Sequence, residues 1–175
     1  MKEEETMSLR LWLFAALPLF WLFAALPLFP MTVQAADMPK EGTDSVTNTW
    51  MITSVSTLKV GDHSFTIAEA NGITRNDIGG SMFNNFGFHC VGTNEITGSA
   101  VHGHGACTWT DKDNDQILTN YESNAAGAGH STLVAGSGKF AGISGTSEFT
   151  VQFPVKADDK FNRGIGSEKV HWKLQ

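Results

Sequence analysis

Beyond residue 36, no stretch of this chain repeats apolar residues at the 3.6-residue spacing of an amphipathic helix, which removes helical bundles and alternating α/β folds. A basic excess is also missing: 12 Lys and Arg face 18 Asp and Glu, for a formal net charge of −6 at pH 7. A mildly acidic chain with scattered cations lacks the electrostatic footprint needed for nucleic acid or an anionic lipid surface as its main partner. Cysteine is scarce, and the two present, Cys90 and Cys107, read as one disulfide, which leaves no thiol nucleophile. No Gly-x-Ser-x-Gly elbow presents a nucleophilic serine. The segment Gly136-Ser-Gly-Lys139 is no nucleotide loop, because Leu133 stands where a Walker A needs glycine and Phe140 where it needs Ser or Thr. Polar low-complexity runs are absent too. The 18 glycines, all beyond residue 36 and about twice the usual share, are therefore read as turns rather than disorder.

What is present begins with a hairpin between the two cysteines. Gly98-Ser99 suits the centre of a type II′ turn, whose first residue needs φ > 0. With the turn there, residues pair when their numbers sum to 197, and Cys90 faces Cys107. Counting from the hydrogen-bonded pair Thr97/Ala100, the cysteines fall on a non-hydrogen-bonded pair, where side chains are closest. Turn chemistry and cysteine spacing are independent, and they agree on one register. Closing a loop of this length is worth roughly 3 kcal/mol.

A disulfide requires an oxidising compartment, and the N-terminus agrees. Leu11 to Phe29 is uncharged and contains Trp12–Phe20 repeated as Trp21–Phe29. Val33 and Ala35 make Ala35/Ala36 a good signal-peptidase site. Residues 1–35 are thus expected to be a signal peptide, with an uncleaved anchor as the alternative, since the doubled segment approaches membrane-spanning length. Pro18 and Pro27 disfavour a permanent helix. Lys2-Glu-Glu-Glu5 is acidic where such leaders are basic, so Met7 is a second candidate start. The expected destination is periplasmic or secreted, with no stable membrane insertion once the signal is cleaved. Cleavage leaves about 140 residues, a usual size for one domain.

Several segments alternate with period two. Phe149, Val151 and Phe153 do so until Pro154 is expected to end the run, and Val170, Trp172 and Leu174 form a second set. Phe65 and Ile67 form a third; 47–58, 81–88, 116–122 and 130–135 are further strand candidates. Residues 36–46 are expected to be a flexible tail, 156–166 a long polar loop, and 47–175 one all-β domain. About eight short strands favour a single antiparallel β-barrel, which leaves no sheet edge exposed.

Two constellations could carry chemistry. Asp111, Asp113, Asp115 and Glu122 match the 1, 3, 5 and 12 positions of an EF-hand loop, but Gln116 replaces the glycine at position 6 and no helices flank it. An acidic β-turn is the simpler reading; structural calcium is the alternative, and no other cofactor is expected. In the hairpin register, Glu95 lies across from His102, with His104 two residues along the same strand face. Two imidazoles and a carboxylate could bind a metal or move a proton, whereas a solvated polar face needs only the Glu95–His102 pair. Period-two parity cannot say which face looks inward. The cysteine face carries Ile96 and Trp109 but also three glycines.

Gly136-x-Gly-x-Phe140-x-Gly-x-x-Gly-Thr146, followed by an alternating strand, resembles the late hairpin of allene oxide cyclase and dirigent-like β-barrels. Cys107-Thr-Trp-Thr-Asp-Lys-Asp-Asn-Asp115 is similar to uncharacterised exported bacterial relatives of that barrel. The resemblance spans roughly residues 88–153 and rests on turn-forming motifs. It implies an eight-stranded antiparallel barrel, calycin-like or allene-oxide-cyclase-like, with an apolar cavity and often in oligomers, so a homo-oligomer is an expected partner state. Allene oxide cyclases isomerise a fatty-acid epoxide and dirigent proteins steer radical coupling or ring closure, but none of their functional residues maps onto this chain. The expectation is an exported barrel that binds a small apolar molecule. The alternatives are a cyclase or isomerase acting on a reactive lipid-like or phenolic substrate, and a structural envelope protein, calcium-stabilised or not.

Overall fold

The computed structural model describes residues 38–80, 82–124, 127–156 and 161–175; the expected signal peptide lies outside them. Eight strands follow in chain order: β1 (Glu41–Val60), β2 (His63–Asn76), β3 (Gly87–Thr97), β4 (Ala100–Thr110), β5 (Gln116–Asn124), β6 (Ala128–Gly136), β7 (Ser144–Lys156) and β8 (Phe161–Lys173). Each pairs antiparallel with its neighbours, and β1 closes on β8 to complete a barrel. The only helical turn among the described residues is the 3₁₀ segment Gly138–Phe140. The β3–β4 hairpin has the register that its turn and cysteines require: Cys90 faces Cys107 and Glu95 faces His102. Gly98 takes a φ of +61° while Ser99 does not turn positive, as a II′ turn demands. The Cys90–Cys107 disulfide is present, with Cα atoms 4.0 Å apart.

Burial follows parity around the barrel. Between the register shifts, even-numbered residues of β1 (to Ile52), β2, β3 and β8 point inward, as do odd-numbered residues of β4, β5, β6 (to Leu133) and β7 (to Val151). The cysteine face is therefore the inner face. Its glycines, and others inside the barrel, have a packing reason: large rings lie over glycines on the adjacent strand. Trp50 faces Gly164, Phe88 faces Gly72, Tyr121 faces Gly105 and Phe149 faces Gly129. In each case a Cβ at the glycine would collide with the ring, its hydroxyl or the backbone beside it. Half of the 18 glycines thus serve close approach inside strands rather than turns.

Four sequence expectations need correction. The chain enters β1 at Glu41, so 41–46 is strand and no flexible tail. The alternation is hidden there because Gly42 and Asp44 precede Val46 on the inner face, and Asp44 accepts hydrogen bonds from Trp172 Nε1 (2.6 Å) and Asn76 Nδ2 (2.6 Å). Of the expected 156–166 loop, Lys156 belongs to β7 and 161–166 to β8, where Gly164 and Gly166 face inward; 157–160 lie outside the described residues. Pro154 does not end β7; it sits at a register shift between Gln152 and Val155, where a missing N–H is tolerated. Residues 82–86 form turns that lead into β3, because Phe83 (φ +56°) and Asn85 (φ +59°) adopt backbone no strand accepts.

Candidate functional site

The β2–β3 connection folds back into the barrel end. Thr74 Oγ1 donates to the Phe83 carbonyl and accepts from Phe86 N–H (3.2 Å), while Asn76 Nδ2 donates to the Met82 carbonyl (2.8 Å). These bonds hold Phe83 at positive φ and push Met82, Phe83 and Phe86 into the interior, where each is 3–4% exposed. Phe83 meets Trp109 edge-on at 6.0 Å, and Phe86 packs on Phe140 at 5.6 Å. This end of the barrel is stoppered by ring-on-ring packing.

Toward the β1–β2 and β3–β4 turns, the lumen holds a cavity of about 200 Å³. Its walls are mostly apolar: Trp50, Ile52, Phe88, Trp109, Tyr121, Phe149 and the disulfide. Its polar residues include Asn48, Ser131 and Glu168. Glu168 is buried, accepts from Asn48 Nδ2 (3.0 Å) and is hydrogen-bonded to Ser147 Oγ (2.5 Å), which also contacts Ser131 Oγ (3.0 Å). Burial pushes the Glu168 carboxyl above its ordinary range, and the Ser147 and Asn48 bonds offset only part of that. Burial likewise raises the Tyr121 phenol. A carboxyl that keeps its proton more tightly than usual among apolar walls can release it to a bound molecule, or orient a bound polar group.

The sequence-predicted site residues lie elsewhere. Glu95, His102 and His104 are on the outer face, with His104 Nε2 3.1 Å from Thr93 Oγ1. His104 is in register with Glu122, which lies 3.7 Å from His130. Asp111, Asp113 and Asp115 do come together in the β4–β5 loop, around the ammonium of Lys139. Lys139 Nζ bonds Asp111, lies 2.8 Å from Asp113 and 3.9 Å from Asp115. Asp111 Oδ1 accepts from the backbone of Asp113 (2.8 Å) and Asp115 (3.0 Å), the local bonding of an acidic turn. Burial pushes Asp111 upward, but the Lys139 and backbone bonds outweigh it and its pKa falls below the ordinary value. Bonds from Lys112 and Lys139 bring Asp113 down to about 2, and the same carboxylates raise Lys139. Glu122 is about 20 Å along β5 from this loop and takes no part in it. Among the described residues, no group of three His, Cys, Asp or Glu side chains is placed to hold a metal ion.

Asn48 and Glu168 were missed in the sequence. For Glu168 a signal existed, since it continues the inward series Val170, Trp172, Leu174 by one step.

No family model and no curated protein matches this chain. Among solved structures, it is similar to a pterocarpan synthase dirigent protein at 8% identity and a TM-score of 0.50, over 79% of this chain and 94% of that one. The fold is dirigent-like. At this identity the likeness extends to the eight-stranded barrel and to no functional residue.

Proposed function

We propose that this dirigent-like barrel binds a small, mainly apolar molecule in the open half of its lumen, outside the cytoplasm. The observation that carries this reading is the division of the interior: rings stopper one end completely, while about 200 Å³ is left between rings at the other. A core selected for stability alone would be filled, because an apolar void costs stability in proportion to its volume. The periplasmic or secreted location rests on the uncharged 11–29 segment, the Ala35/Ala36 site and the disulfide. No helix among the described residues is long and apolar enough to cross a membrane.

Native mass spectrometry of protein purified from its own compartment tests the proposal. A co-purified apolar mass that leaves on denaturation is expected. Gly166 supplies the control, because a methyl there meets only ordinary contacts, 3.4 Å from the Thr150 carbonyl and 3.6 Å from Asn48 Cβ. Gly166→Ala should fold normally, fill part of the cavity and lower ligand occupancy. Unchanged occupancy in that variant would place the ligand elsewhere.

A cyclase or isomerase is the second reading, favoured by the buried carboxyl of Glu168 within the same cavity. A proton held there could be delivered to a reactive bound substrate, and the structural neighbour is itself named a synthase. Incubating the molecule released from the barrel with wild type and Glu168→Gln separates the readings. Turnover lost only in the variant supports catalysis; no turnover in either leaves the binder.

A further inference from the structure

The polar residues of the cavity form one chain, and the chain has a loose end. Ser131, Ser147, Glu168 and Asn48 connect in that order across β6, β7, β8 and β1. A serine hydroxyl carries one proton. Ser147 Oγ, which reaches both Glu168 Oε1 and Ser131 Oγ, therefore donates in only one of these two contacts. The carboxylate's other oxygen takes a proton of the Asn48 amide, which fixes the rotamer of that amide. Its oxygen is then left over: Asn48 Oδ1 is buried and has no hydrogen-bond partner among the described residues. Asn48 as a whole is 7% exposed and forms part of the cavity wall together with Glu168 and Ser131. An orphaned buried acceptor is expensive, and proteins retain few of them without a use.

We propose that this polar corner is a hydrogen-bonding subsite, where Asn48 Oδ1 accepts from a hydroxyl or N–H at the leading end of an otherwise apolar ligand. The inference rests on the lumen-binding reading and adds the chemical class of the ligand. Glu168 is a positioning residue here: by engaging the amide nitrogen it keeps the amide oxygen free. Trp50, Phe149 and Phe88 supply the apolar surround, and the low local dielectric strengthens the single polar contact.

Titration calorimetry of the purified protein with indole and with indene tests this. The two are nearly isosteric, but only indole has an N–H. Wild type should bind indole at least about tenfold more tightly, because indene leaves the acceptor unpaired. Asn48→Leu, of similar volume and with no acceptor, should erase or invert the preference. Equal binding in wild type, or tighter indene binding, overturns the subsite and leaves lumen binding standing. An indole preference that survives in Asn48→Leu overturns the assignment to Asn48. Should neither probe bind, or should Gly166→Ala change the binding of neither, the lumen reading fails and the subsite fails with it.

Discussion

Where the β2–β3 and β6–β7 connections meet, aromatic rings pack on one another; toward the hairpin end, rings lie against glycines and leave a cavity between them. Phe83, Phe86 and Phe140 belong to the first arrangement, and Trp50, Tyr121 and Phe149 to the second. The residue types are nearly the same at both ends. What differs is where the ring is carried: Phe83, Phe86 and Phe140 sit on connections between strands, Trp50, Tyr121 and Phe149 on strands opposite a glycine. A ring on a connection folds into the barrel end and fills it, whereas a strand ring over a glycine is drawn back to the wall. Glycine therefore sets the shape of the lumen without lining much of it.

The comparison can be broken most forcefully at the stoppered end. Phe140 is 1% exposed, and Phe140→Ala should cost about 3–5 kcal/mol in urea unfolding. Ligand affinity per folded molecule should stay unchanged, since Phe140 is not among the cavity residues. Replacing Cys90 and Cys107 together by alanine should cost roughly 3 kcal/mol, for a loop with a sequence separation of 17. Unlike Phe140→Ala, this change touches the cavity wall and should alter binding as well.

Acid sharpens the contrast, because it acts on the two ends with opposite sign. Glu168 binds its proton more tightly folded than unfolded. The stability linked to it is fully present below the ordinary value of 4.5 and is lost as pH rises through its raised value. Wild type should therefore lose stability relative to Glu168→Gln as pH rises above 4.5, measured as urea midpoints. Asp111 and Asp113 at the stoppered end are held below 3.8. Their contribution is present above that value and is lost as pH falls through their lowered values, about 2 for Asp113. The smallest effect is expected on the outer face, which belongs to neither end. Glu95→Ala with His102→Ala should change stability by less than about 0.5 kcal/mol and leave ligand occupancy unaltered. A loss of occupancy there would return the outer histidines to consideration.

The hairpin register could be read from the sequence because both of its determinants are local: a turn dipeptide and two cysteines equidistant from it. The acidic loop was recognisable as a cluster for the same reason. Its occupant was not, because Lys139 arrives from a connection 24 residues beyond Asp115 and only the folded barrel brings them together. Glu168 carried a parity signal, yet a carboxylate in a period-two strand is ordinarily assigned to the solvent side. Only Ser147 and Asn48, on two other strands, make its inward position tolerable. The glycines misled for a related reason: a lone glycine looks like a turn until the ring that needs its space is found on the next strand.

The sequence by itself determined an all-β chain with one disulfide, the register of its central hairpin and a barrel as the preferred closure. These follow from period-two patterning and from spacings of a few residues. Only the tertiary structure decided which face of each strand looks inward, because alternation is identical for either choice and closure of the barrel selects one. By the same closure it placed Asn48, Ser131, Ser147 and Glu168, from four different strands, at one side of the cavity.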